Sequence, residues 1–184
     1  HHSIYAPELS SADLHAHAAV VVADRIHPAV LRAKRRVLMD YLGAGGTLVV
    51  LGENRACQWA PQVQWAFRPT NFWSWLDPGR NPGLVVAAPE HPIFRHLPPG
   101  DFVWHYHGLL TPPPGAIALA GISAEADPEG RGGTILYDHP NIGGTAGRLV
   151  ITTLDPFYHH GSFFMPAASR FLGGLLDWLD AEFG

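Results

Sequence analysis

The sequence predicts an α/β domain in which helices cover a mostly parallel central sheet that is extended by short antiparallel strands. Three observations predict it. Ala18 to Asp24 and Thr47 to Leu51 are continuous apolar, valine-rich runs, the pattern of strands buried on both faces. Between them Val30, Leu31, Val37, Leu38, Tyr41 and Leu42 recur at helical spacing, and a strand, helix and strand so closely joined form a right-handed unit with parallel strands. Near the C-terminus Arg148 to Thr153 repeats the buried-strand pattern, and Phe171, Leu172, Leu175, Trp178 and Leu179 repeat the helical one.

In chain order, Ser10 or Ser11 is placed to cap a short helix that ends near His17. Asp24 closes the first strand, Pro28 suits the first turn of the next helix, and Gly43 suits its stop. Gly45-Gly46 turns the chain into the strand Thr47 to Leu51, whose exit carries Glu53 and Asn54. Parallel strands bring Asp24 and Glu53 to the same sheet edge, where open α/β proteins bind ligands. Residues 54–82 have no sustained period and crowd Trp59, Trp65, Phe67, Phe72, Trp73 and Trp75 among prolines, which predicts a long excursion with one short helix. Leu84 to Ala87 reads as a strand, and Glu90 to Pro98 as a turn with a helical turn. Asp101 to His107 alternates in a way that predicts a strand, with Phe102, Trp104 and Tyr106 on one side and Val103, His105 and His107 on the other. Ala116 to Ala120 and Thr134 to Tyr137 flank a hairpin turn at Asp127 to Gly133. The last helix is expected to start between Ser162 and Pro166.

With 184 residues the chain suits one domain, read as 3–184. His1-His2 reads as the remnant of a purification tag, and the first strand of the fold is expected to lie before residue 3. A net charge of −4 gives no footing for nucleic acid or an acidic membrane, and Arg32, Lys34, Arg35 and Arg36 read as a solvated helix face. One cysteine, Cys57, excludes an internal disulfide and a multi-cysteine zinc site; it reads as a small buried residue. No apolar run approaches the ~18 residues that a membrane span needs, and the expected compartment is the cytoplasm.

Three local patterns resemble the class I glutamine amidotransferase-like superfold, a three-layer flavodoxin-like architecture, and in particular its trehalose-utilisation (ThuA-like) branch. They are Tyr41-Leu42-Gly43-Ala44-Gly45-Gly46-Thr47-Leu48-Val49-Val50, His91-Pro92-Ile93-Phe94-Arg95-His96-Leu97-Pro98, and Gly147-Arg148-Leu149-Val150 leading into a strand and final helix. An active amidotransferase carries a cysteine between glycines on the sharp turn after the strand. Here the turn reads Gly52-Glu53-Asn54-Arg55-Ala56-Cys57, and the late His-Pro-Glu pattern is missing. The resemblance therefore implies the fold without glutamine hydrolysis.

The expected function is a degenerate amidotransferase-like domain that binds a small polar or carbohydrate-like ligand at the carboxyl edge of the sheet. The expected ligand-binding residues are Glu53, Asn54, Trp59, Trp73, His105, His107, Asp155 and His159, with Glu53, Asp155 and His159 the candidates for acid–base chemistry. No cofactor and no dedicated metal set is assigned. One alternative is a metal-assisted hydrolase, in which His105 and His107 point the same way and a further ligand comes from Asp138, His139, Asp155 or His159. Another is an interaction or assembly module using the aromatic stretch 59–75, with self-association left open.

Overall fold

Thr47–Leu51 forms β2, buried at every position, as the apolar run Leu48 to Leu51 requires. The computed structural model of the chain describes residues 2–60, 62–69, 82–163 and 165–184. In it β2 lies between β1 (Ala19–Val22) and β8 (Arg148–Thr152), parallel to both. From β8 outward the pairings are antiparallel. β7 (Gly133–His139) pairs with β8 and with β6 (Ile117–Ile122), and it touches β5 (Gly108–Thr111) at Leu110–Thr134. β4 (Leu84–Val86) extends β6, and β3 (Gln64–Phe67) extends β5. The sheet is thus mixed rather than mostly parallel. The Val-rich run at β1 ends the strand order instead of sitting centrally, because an apolar run reports covered faces and not the number of neighbouring strands.

Helices cover both faces. α2 (Pro28–Gly43) and the short α1 (Ser11–His15), whose Ser10–Asp13 capping box is formed, lie over Leu48, Val50, Leu149 and Ile151. α4 (Pro166–Phe183) lies over Val49, Leu51 and Val150 and buries Phe171, Leu172, Leu175, Trp178 and Leu179, the predicted stripe. A short α3 (Pro156–Ser162) precedes it, ahead of the expected start of the last helix. A Cβ on Gly46 would stand 2.3 Å from the Tyr41 ring, so the Gly-Gly entry to β2 lets α2 close onto the strand.

Two segments differ from expectation. The excursion contains β3 as well as the 3-10 turn Ala56–Gln58, and β3 contributes sheet pairing that its proline-flanked sequence hides. Residues 103–107 are not a strand. A 3-10 turn (Pro99–Phe102) leads into irregular backbone, and β5 begins only at Gly108. The alternation is real but serves two buried surroundings. Phe171 of α4 meets Phe102 and Trp104 edge-on, with centroids 5.1 and 5.3 Å away, while His105 and His107 turn to the other side. Such aromatic pairs contribute about 0.5–1.5 kcal/mol each beyond area burial, which fixes this segment without a ladder. Cys57 is exposed, not buried: it lies on the outer side of its turn while Ala56 and Trp59 face inward.

Candidate metal centre

The carboxyl ends of β1, β2 and β8 deliver Asp24-Arg25, Gly52-Glu53 and Thr153-Leu154-Asp155 to one sheet edge. Gly52 makes the approach tight. Its φ is +47°, and a Cβ there would lie 2.8 Å from the Cβ atoms of both Asp24 and Asp155. Gly52→Ala is expected to cost about 1–3 kcal/mol through left-handed strain alone, read by chemical denaturation, and to push these two carboxylates apart.

Asp24 does not face the cluster. Its carboxylate accepts hydrogen bonds from the Phe157 and Tyr158 amides, at 2.7 and 3.2 Å, and so caps the first turn of α3 from a distant strand. Burial pushes its carboxyl up to about 6; the two amide bonds act against that shift, and the nearby charge of Asp155 adds to it. Asp24→Ala should destabilise the fold by about 1 kcal/mol, the ordinary cost of a lost cap, and loosen the helix that carries His159; amide exchange at residues 157–160 would report it.

Asp155 is fully buried at the centre. Its Oδ2 accepts Arg25 Nε and Nη2 at 3.1 and 2.8 Å, and lies 3.2 Å from His107 Nε2. Its Oδ1 lies 3.3 Å from His159 Nε2 and 3.5 Å from His105 Nε2. The two imidazole nitrogens of His105 and His159 are 2.9 Å apart. One ligand atom from each of His105, His107, Asp155 and His159 falls within 4.8 Å of all the others. Each of these residues is at most 3% exposed. Ligands about 2.0–2.1 Å from a tetrahedral zinc ion stand about 3.3 Å apart, and the contacts above run from 2.9 to 3.5 Å within a set that spans up to 4.8 Å.

The electrostatics suit deprotonated ligands. Burial alone would raise the Asp155 carboxyl, but the imidazoles of His105, His107 and His159, 3.2–3.5 Å from its oxygens, hold it well below the usual carboxylate range. Burial lowers His105 below the ordinary imidazole value, against the pull of Asp155, so it is neutral at pH 7. Among the described residues, His107 Nε2 and Asp155 Oδ1 are buried without a partner in hydrogen-bonding geometry.

Local structure explains the convergence. The His107 amide donates to Thr153 O at 3.3 Å, and His107 O accepts from the Arg68 amide at 3.1 Å and from Trp65 Nε1 at 3.3 Å, so β8 and the excursion grip this residue. His159 lies one helical turn beyond Asp155, an i,i+4 pair.

Three solved structures share the fold. The cytoplasmic protein STM3548 from Salmonella typhimurium has a TM-score of 0.56 at 11% identity, covering 94% of this chain and 77% of that one. The mmIFT52 N-terminal domain has a TM-score of 0.52 at 15% identity, covering 92% and 80%. A putative ThuA-like protein from Bacteroides uniformis ATCC 8492 has a TM-score of 0.51 at 12% identity, covering 96% and 74%. No family model and no curated protein matches the chain.

Of the residues named from sequence, Glu53, His105, His107, Asp155 and His159 come together. Glu53 Oε1 lies 2.9 Å from His107 Nδ1. Asn54 is fully buried and donates Nδ2 to Leu51 O at 2.8 Å, closing the strand exit. Trp59 is buried in the apolar cluster beneath α2, its Nε1 donating to Asn54 O at 3.3 Å. Trp73, with Phe72 and Trp75, lies outside the described residues. Asp138, weighed as a ligand, pairs with Arg148 and His91 instead, at the opposite edge where β8 begins. Arg25 was missed. Its guanidinium spans Asp155 and Glu53 and stacks 3.7 Å from the Tyr158 ring centroid, on a backbone with φ of +59°. Its place directly after Asp24 at a strand exit was the available signal.

Proposed function

We propose that this chain is a ThuA-like domain of the amidotransferase-like superfold that has lost glutamine hydrolysis and holds a divalent transition metal at the carboxyl edge of its parallel strands. His105, His107, Asp155 and His159 are the ligands. One observation carries the reading: four buried ligand atoms from two segments far apart in the chain, 105–107 and 155–159, meet within 4.8 Å. Three imidazoles and one carboxylate suit zinc, cobalt or iron, whereas magnesium and calcium take oxygen ligands. Four buried protein ligands also resemble a closed coordination sphere. The neighbouring ThuA-like structure supports the fold assignment, and Glu53 at the elbow, with Cys57 out on the surface, supports the loss of the glutaminase nucleophile.

A second reading rests on the rim. Arg25 and Glu53 side chains are 38% and 32% exposed and border the cluster, so a small polar ligand, carbohydrate-like or otherwise, approaches from that side and metal-assisted hydrolysis becomes available. Among the described residues no helix is long and apolar enough to cross a membrane, and we place the protein in the cytoplasm as part of the proposal.

The test is elemental analysis of protein prepared without a nickel column. A stoichiometric metal lost in the His105→Ala/His159→Ala double variant supports the reading. Protein that takes up neither zinc nor cobalt rejects it.

A further inference from the structure

Resting on that metal reading, we infer that Glu53 is a positioning residue for the centre: it selects the tautomer of His107. Glu53 occupies the elbow after β2, the place where the resembled superfold puts a nucleophile. Its side chain does not enter the ligand cluster. Oε1 instead stands 2.9 Å from His107 Nδ1, on the far side of the ring from Nε2, which stands 3.2 Å from Asp155 Oδ2. A carboxylate accepts and cannot donate, so Glu53 draws the proton to Nδ1 in competition with Asp155, whose Oδ2 faces Nε2; with the proton on Nδ1, the Nε2 lone pair is left for a metal in the cluster. Glu53 is held in turn, since Arg25 Nη2 reaches Glu53 Oε2 at 3.5 Å and Asp155 Oδ2 at 2.8 Å. Arg25, Asp155, His107 and Glu53 thus close a ring of contacts on the solvent side of the centre. The two outer members carry opposite charges, so they orient the ligands and add no net charge to the site.

A backbone explanation does not replace this one. The Thr153, Arg68 and Trp65 contacts fix the main chain of His107, but none of them reaches its ring nitrogens.

The experiment uses the full chain, cobalt(II) as probe, and Glu53→Ala beside Glu53→Gln. Glu53→Ala is expected to weaken cobalt binding about 10–100-fold and to shift the visible absorption band. Glu53→Gln, whose amide oxygen still accepts from Nδ1, is expected to recover most of the affinity. Nitrogen NMR of the metal-free protein reads the ring directly, with His107 Nδ1 protonated in the wild type and the proton drawn to Nε2, toward Asp155 Oδ2, in Glu53→Ala. Unchanged cobalt affinity in Glu53→Ala, or a Gln variant as weak as the Ala variant, overturns the assignment. If the wild type binds no cobalt, the metal reading fails by itself, and the NMR comparison still decides what Glu53 does.

Discussion

Asp155→Ala is expected to abolish metal binding and to lower the stability of the metal-free protein by about 3 kcal/mol, the low end of the ~3–5 kcal/mol seen when one partner of a buried ion pair is removed. The low end applies because the Arg25 side chain is 38% exposed and can turn to water once Asp155 is gone, whereas the imidazoles left behind are buried. Asp155→Asn separates charge from shape. It keeps an oxygen for Arg25, so it should lose less stability while losing nearly all metal affinity. Urea unfolding of the metal-free proteins, beside a zinc titration of each, measures both effects. The linkage runs in one direction. The Asp155 carboxyl is held below its unfolded value, so its contribution is complete above about pH 4 and disappears as the pH falls further. The Asp155 variants should therefore show a flatter loss of stability in acid than the wild type.

Zinc in ~100-fold excess over its Kd should raise the thermal midpoint by about 5–10 °C. Ligand binding to the folded state alone contributes about 2.7 kcal/mol at that excess, and a chain of this size shifts by roughly 2–4 °C per kcal/mol. His159→Ala should lose most of the rise, because it removes an Nε2 that lies within 3.3 Å of two other donor atoms. The rise should also fade in acid. His105 is held below the ordinary imidazole value, so protons compete with the metal for it only in acid, below the ordinary imidazole range. Differential scanning calorimetry at pH 7.5 and pH 5.5, with and without zinc, reads the pair of effects. A rise at pH 7.5 that survives undiminished in His159→Ala would place the zinc on other ligands.

The parts of this fold that were legible in the sequence are those where periodicity and burial agree. α2 with Pro28 at its start, β2, β8, the hairpin into β7 and the stripe of α4 are single elements whose faces meet a core. The parts that were not legible depend on partners far along the chain. β3 is a strand because β5 pairs with it, and 103–107 is not a strand because α4 and the sheet edge divide its two faces between them. The site shows the same division. Glu53, Asp155, His105, His107 and His159 were recognisable as polar groups near strand exits, but their spacing left the ligand set open among four candidates beyond the histidine pair. What selects Asp155 and His159 over Asp138 and His139 is strand direction. β7 runs antiparallel to β8, which carries Asp138 to the amino edge beside Arg148 and away from the cluster. For Arg25 the sequence offered only its place at a strand exit beside Asp24; its role arises once three strand ends meet.

The most direct test of the metal centre is the anomalous scattering of crystals grown from protein lacking His1-His2 and loaded with one equivalent of zinc. A single peak at the zinc edge, about 2.0–2.2 Å from donor atoms of His105, His107, Asp155 and His159, is the predicted result. Crystals with no peak there, or with zinc held elsewhere on the chain, would contradict it.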